Sequence, residues 1–413
     1  MKKLIQKWCL ASLILRIIAG LAIGSILALL MPGNPWISLL GSVFVGALKA
    51  IAPVLVFMLV TSALAKAQKG VGSRFRTVIA LYMLSTLLAS LIAVAGSFLF
   101  PVTIHLKDVA DNAAPEGISE VLTNLFVNMV QNPVASLMNG NYLGILFWAV
   151  IFGICLRKVA SPATVDGFSD CADAVSTGVR GIIQCAPIGI LGLVYDSVSE
   201  SGLAIFTEYG KLLLLLVGCM LLVALVVDPF IAAIFLKRNP YPLVFRCIKE
   251  SGVTAFFTRS SAANIPVNMQ LCENLGLDKD FYSISIPLGA TINMDGAAVT
   301  IAVMALACAH TIGVSIDLPT ALILSVLATF AACGASGVAG GSLLLIPMAC
   351  SLFGIGNDIS MQVVAVGFII GVIQDSVETA LNSSGDVMFA ATAEYYDRAK
   401  RGEDMRFLGK FAK

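Results

Sequence analysis

Apolar runs of about 20 residues, the length that crosses roughly 30 Å of hydrocarbon as helix, recur along almost the whole of this chain. They fall at roughly 14–31, 37–65, 77–104, 142–156, 181–198, 211–236, 281–308 and 359–390. So many runs leave one solvent open to the chain, because crossing lipid demands that every backbone group be bonded internally. Composition agrees: 58% of the 413 residues are hydrophobic and 12% charged, where soluble domains carry about 25% charged residues. Mean hydropathy is +0.93. The expectation is an all-α polytopic membrane protein with about eight transmembrane helices. A net charge of +1 removes the electrostatic case for nucleic-acid binding. The ten cysteines stand singly, with no CxxC pair, and read as small core residues. The opening "MKKLIQKW" imitates a signal peptide but leads to no small-x-small cleavage site, so it is expected to lead into the first membrane helix.

Basic residues fall on every second connection between the runs. Lys2, Lys3 and Lys7 are followed by Lys66, Lys69, Arg74 and Arg76, then Arg157 and Lys158, Lys237 and Arg238, and finally Arg398, Lys400, Arg401 and Arg406. The connection Asp108 to Glu120 is acidic. The positive-inside rule then places both termini in the cytoplasm.

Two further apolar segments do not read as simple crossings. One, about 243–275, is interrupted by "TRSSAANIP" (Thr258 to Pro266); the other, about 319–354, by "ACGASGVAGGS" (Ala332 to Ser342). Ser, Gly and Pro clusters unwind helices, and unwound backbone at membrane depth survives only where protein or a polar cavity satisfies it. Both are expected to be re-entrant hairpins. Each precedes a crossing with polar residues inside it, "TINMDG" (Thr291 to Gly296) and "QDSVETALNSSGD" (Gln374 to Asp386). Interrupted segments in matching places point to inverted repeats around a substrate site.

A carboxylate in a bilayer costs at least ~2.5–3.5 kcal/mol on insertion scales, which makes Asp295, Asp375, Glu378 and Asp386 functional candidates. Their structural alternative is salt bridging to Arg259, above all for Glu378. At 100° per residue Asp375, Glu378, Thr379, Asn382 and Asp386 share one narrow helical face. Asn293, Asp295, Asn382 and Asp386 supply oxygens without a sequence-adjacent cation, which suits a hard cation, Na+ before a divalent ion. The hairpin tips "SSAAN" and "GASGVAGG" offer helix N-termini, which suit a carboxylate. An amino acid needs such a site and an acid for its ammonium group, and Asp375 is placed to be that acid. The alternative for the tips is close helix packing by small residues.

Two other function classes fit less well. "GASG" (Gly334 to Gly337) has the look of an intramembrane serine protease, but the two histidines, His105 and His310, both precede Ser336 in the chain. A channel filter lined by symmetric subunits would not need the asymmetric set Asp375, Asn382 and Arg259 in each chain. No enzyme and no cofactor are expected beyond Na+ as coupling ion.

"TRSSAANIP", "ATINMDGAA", the Gly-rich second interruption and "DSVETALNSSGD" together resemble the signature regions of the dicarboxylate/amino-acid:cation symporters, the glutamate-transporter family. The likeness extends to "QNPVASLMNGNYLGILFWAVIFGICL" (Gln131 to Leu156) and covers nearly the whole chain. It implies a homotrimer in the lipid of a bacterial inner membrane. Residues 1–240 would supply six crossings, the first, second, fourth and fifth forming a scaffold. The third and sixth would join the hairpin–helix–hairpin–helix core of 241–390 in a moving, elevator-type transport domain, and 391–413 would be a cytoplasmic tail.

The resemblance also assigns residues. Asp375 takes the substrate ammonium, Asn382 with Ser260 and Ser261 its carboxylate, and Arg259, Glu378 and Thr379 complete the pocket under the tip Ala335, Ser336, Gly337 and Val338. Gly289, Asn293, Asn382 and Asp386 match one Na+ site; Thr291 with Ala332, Cys333 and Ala335 a second; Tyr82, Ser85 and Thr86 with Asn293 and Asp295 a third. Members that carry acidic substrates commonly have Arg where this chain has Glu378, and often Thr where it has Ala297. Ala263 and Asn264 also stand where Gly and Thr are frequent. A buried Glu378 repels a dicarboxylate and can tie up Arg259. The resulting expectation is Na+-coupled uptake of small neutral amino acids, serine and threonine; the alternative is Na+- or H+-coupled uptake of acidic amino acids or dicarboxylates.

Overall fold

The computed structural model describes residues 13–66, 73–106, 123, 126–127, 129–335, 340–405 and 407–411. The acidic connection at 108–120, the basic residues Lys2, Lys3, Lys7, Lys69 and Arg406, and the hairpin-tip residues Ser336, Gly337 and Val338 lie outside them. The regular elements described are all helical. They are α1 (Leu13–Leu30), α2 (Pro35–Lys66), α3 (Ser73–Leu99), α4 (Pro133–Asn139), α5 (Tyr142–Val159), α6 (Pro162–Gln184) and α7 (Ala186–Ser201). These lead to α8 (Ile205–Leu222), α9 (Asp228–Leu236), α10 (Tyr241–Cys247), α11 (Val253–Thr258) and α12 (Ser261–Asn274). The chain ends through α13 (Lys279–Ile292), α14 (Asp295–Thr311), α15 (Leu318–Ala332), α16 (Ile346–Ser351) and α17 (Asn357–Lys400).

Among the described residues, 6 helical stretches are long and apolar enough to cross a membrane. Two features of the expected runs account for the difference from eight. The first run forms α1, whose 18 residues are close to the shortest length that spans, and the runs at 181–198 and 211–236 join in one stretch, Ala186–Leu236, turned at Gly202. A multi-pass membrane protein follows from these stretches.

Two packing styles divide the chain. α1 lies against α7, and α2 against α5, α6 and α7. Glycine permits this closeness: a Cβ on Gly192 would lie 2.3 Å from the Gly41 backbone N. By contrast α14 is walled in by α3, α8, α15, α16 and α17, and every residue from Asp295 to Ala309 is buried.

Both interrupted segments are broken in helical geometry. In the first, α10, the π-helical stretch Ile248–Gly252 and α11 lead to Arg259 at φ +52° and the extended Ser260, after which α12 packs back along the same arm. Ser260 caps α12 by accepting the Ala263 N–H at 3.2 Å. A buried polar seam fastens this hairpin to α17. Asn264 Nδ2 donates to Ser383 Oγ at 2.8 Å, Asn268 Nδ2 to the Ser383 carbonyl at 3.1 Å, and Ser251 Oγ to Asn268 Oδ1 at 2.5 Å. In the second, α15 ends in the turn Cys333–Ala335, and the chain resumes through Gly340 at φ +72° and a short 3-10 turn, Ser342–Leu345, into α16.

Beyond α17 the chain folds back under the first hairpin. Arg238 lies 4.0 Å over the Phe407 ring and Arg246 4.0 Å over that of Phe411. Gly409, at φ +49°, sits against the Leu275 backbone, and Lys410 donates to Asn274 Oδ1 at 3.2 Å.

Candidate functional site

The break between α13 and α14 and the middle of α17 face each other. Asn293 and Met294 leave helical geometry, so α14 restarts at Asp295 with unbonded N–H groups. Asn382 of α17 satisfies one of them, its Oδ1 accepting the Gly296 N–H at 2.8 Å. The approach is close enough to require glycine, since a Cβ on Gly296 would lie 2.7 Å from Glu378 Cα.

A polar cavity opens beside this contact, lined by Arg259, Ser261, Met294, Ala335, Ser342, Asp375, Glu378, Thr379 and Asn382. Its free volume, about 10 Å³, holds roughly one water, so an amino acid enters only if the walls part. Arg259 closes it. Its Nε donates to Asp375 Oδ2 at 2.7 Å, and the Gly340 N–H reaches Asp375 Oδ1 at 3.3 Å. The pairing of Glu378 with Arg259, which the sequence leaves open, is not formed, since Arg259 takes Asp375. Three neutral donors meet at Glu378 Oε2 instead: Thr300 at 2.7 Å, Ser342 at 2.8 Å and Gln374 at 2.5 Å. Asp375 wins the arginine because Glu378 is already satisfied by groups that cost no charge to bury. Thr379 directs its hydroxyl proton to the Asp375 carbonyl at 2.7 Å, while Asn382 Nδ2 has only the Met294 thioether at 3.5 Å. That amide stays free to donate more strongly elsewhere.

The predicted cation ligands fall in three neighbouring places. Asp386 is fully buried and neither carboxylate oxygen has a hydrogen-bond partner among the described residues; Asn293 Oδ1 is likewise buried and unpartnered among them. A Cβ on Gly289 would lie 2.8 Å from Asp386 Oδ1 and 2.9 Å from the Tyr82 hydroxyl, so glycine keeps a small space open there. A buried, unpartnered carboxylate is untenable alone, and a cation is the partner this oxygen set fits. In the second set, Cys333 Sγ stands 3.7 Å from the Ile292 carbonyl, bringing the hairpin tip beside Thr291. The Thr291 hydroxyl donates to the Leu288 carbonyl at 2.7 Å, and the Ala332 carbonyl accepts the Ala335 N–H at 2.9 Å. In the third, Thr86 Oγ1 lies 2.8 Å from Asp295 Oδ1 and Ser85 Oγ 2.6 Å from Asp295 Oδ2, while the Tyr82 hydroxyl donates to the Asp386 carbonyl at 3.0 Å.

Sequence reasoning misses several groups. Thr300, Ser342 and Gln374 carry no signal of their own, because each matters only through Glu378. Asp228 did carry one: it lies within the predicted crossing 211–236, where the cost of burying a carboxylate applies as it does to Asp295.

A serine/threonine transporter, SstT, of Bifidobacterium adolescentis is 60% identical over 396 residues, covering 96% of this chain and 92% of the relative. The SstT proteins of Streptococcus agalactiae and Streptococcus thermophilus are 58% and 56% identical over 396 residues, each covering 95% of this chain and 98% of the relative. The family model of the sodium:dicarboxylate symporters matches residues 13–395. These are transporters rather than enzymes, which disposes of the protease reading of Gly334 to Gly337. The chain belongs to the sodium:dicarboxylate symporter family.

Proposed function

We propose that this chain is a Na+-driven symporter that takes up small neutral amino acids, serine and threonine. The relatives named for those two substrates support the cargo. The observation that carries the reading is the charge pattern of the cavity: Glu378 lines it with only neutral donors on it, while Arg259 is already paired with Asp375. A second carboxylate on the cargo meets Glu378 and is repelled; a zwitterion is not. The cargo's ammonium replaces the guanidinium on Asp375. Its carboxylate takes the released Arg259, the Asn382 amide and the N–H groups at the hairpin tips around Ser260, Ser261 and Ala335 to Val338.

Na+ is the second cargo. It binds at Gly289, Asn293, Asn382 and Asp386, at Thr291 with Ala332, Cys333 and Ala335, and at Tyr82, Ser85, Thr86, Asn293 and Asp295. Binding there orders the second hairpin over the substrate, so that only the loaded protein moves. The architecture that fits is eight crossings plus two re-entrant hairpins in a homotrimer. α3, the α8–α9 crossing and the core from α10 to α17 move as an elevator against a scaffold made from the rest. Basic residues on alternate connections support an inner-membrane protein with both termini in the cytoplasm.

Radiolabelled serine uptake into proteoliposomes, with and without an inward Na+ gradient, tests the reading. Uptake should need the gradient and rise with an inside-negative potential, worth about 2.3 kcal/mol per charge per 100 mV. Equal uptake in both conditions overturns Na+ coupling. Stronger competition by excess aspartate than by threonine overturns the neutral cargo.

A further inference from the structure

Asp228 is a buried carboxylate to which the transport reading gives no task. It is 2% exposed and opens α9 directly after the π-helical stretch Val223–Val227, a geometry that clusters at functional sites. Ser85 Oγ lies 2.8 Å from Asp228 Oδ1 and 2.6 Å from Asp295 Oδ2. A serine hydroxyl has one proton to donate. It satisfies one of the two carboxylates and faces the other with lone pairs at hydrogen-bonding distance. Thr86 does not make up the deficit, since its hydroxyl serves Asp295 Oδ1 at 2.8 Å and accepts the Met294 N–H at 3.3 Å. No Lys, Arg or His among the described residues forms an ion pair with Asp228 or Asp295. The group is short of positive charge.

An orphaned oxygen belongs to the neighbouring side chain: a Cβ on Gly385 would stand 2.7 Å from Asn293 Nδ2 and 3.7 Å from Asp295 Oδ2, so the two residues converge there. Asn293, two residues before Asp295 on the α13–α14 break, is fully buried, directs Nδ2 to the Asn382 carbonyl at 3.1 Å and leaves Oδ1 without a partner among the described residues. Two hydroxyls and two carboxylates thus meet from α3, α9 and α14, with the Asn293 amide beside Asp295. That is an oxygen set for a hard cation.

We propose that Asp228 is a direct ligand of the cation held by Ser85, Thr86 and Asp295, so that this site carries two carboxylates and α9 is fastened through the ion to α3 and α14. The inference rests on the Na+-coupled reading above and adds a ligand to it. The competing account is a protonated Asp228 that only hydrogen-bonds Ser85.

A Na+ titration of serine uptake by the full-length protein in proteoliposomes separates the two, comparing wild type with Asp228→Asn. The carboxamide keeps the size of the side chain and a donor for Ser85, so a protonated or purely structural Asp228 predicts an unchanged Na+ half-saturation. That result overturns the proposal. A ligand role predicts a rise of roughly tenfold or more, with Asp228→Glu recovering part of it. Melting of the detergent-solubilised protein against Na+ alone reads the same shift without transport. A Na+ dependence unchanged from wild type overturns the proposal there too. Should Asp228→Asn not be recovered folded, Asp228→Ser, smaller and neutral, carries both assays with the same expectations. A wild type that shows no Na+ effect in either assay removes the Na+-coupled reading itself, a different outcome from a wild type and variant that respond alike.

Discussion

The stretch Ala186–Leu236 is more apolar than Lys279–Thr311, yet only 28% of its membrane-length window is buried, against 94% for the latter. Between these two stretches, the more apolar one is the less enclosed by other helices. Enclosure by other helices is what lets a crossing carry Asn293, Asp295 and Thr300, because their partners are protein groups rather than hydrocarbon. Asp228 fits the same rule from the other side: it belongs to the less enclosed stretch but sits on its inner face, where α9 meets α3 and α17.

The contrast can be broken most severely at the cavity. Asp375→Ala should reduce serine uptake to background, since it removes the proposed partner of the cargo's ammonium; normal uptake would end that assignment. Glu378→Arg should lower serine uptake by about tenfold or more, because like charges beside Arg259 cost several kcal/mol, and should admit aspartate. Unchanged selectivity between serine and aspartate would show that Glu378 does not set the cargo. Next comes the seam that ties the first hairpin to α17. Asn268→Leu should cost about 1–3 kcal/mol by leaving its partners unsatisfied, read as a lower melting temperature. In the glycine-packed scaffold, Gly192→Ala should cost a similar ~1–3 kcal/mol through overpacking against Gly41, with the Na+ half-saturation unmoved. A shift in Na+ affinity there would mean the two packing styles are not separable. Smallest is Lys49→Ala, which removes the ion pair to Asp358; with side chains 41% and 90% exposed, it should change the melting temperature by no more than ~1 kcal/mol allows.

Much of the site is legible from residue type alone, and the reason is the solvent. In a bilayer the cost of a carboxylate singles out Asp295, Asp375, Glu378 and Asp386, and a Ser/Gly interruption singles out both helix breaks. What the sequence does not carry is who meets whom. Arg259 pairs with Asp375 because Thr300, Ser342 and Gln374, drawn from α14, the second hairpin and α17, have already satisfied Glu378. That competition depends on the packing of separate elements and leaves no local trace. The number of crossings is blurred for a similar reason: Gly202 turns the chain without a polar loop, so 181–198 and 211–236 merge. Asp228 escapes a motif-led search because it stands before the hairpins, although the energetic criterion applied evenly along the chain reaches it.

The segment that folds back under the first hairpin has a temporal consequence. Phe407, Gly409 and Phe411 follow in chain order everything they fasten: Arg238, Arg246 and the Leu275 backbone. A ribosome delivers them after α10 and α12 have been made, so the base of the α10–α12 segment is tied down as a late event of biogenesis. Until then it depends on the Ser251, Asn264, Asn268 and Ser383 seam, which itself waits for α17 to be made.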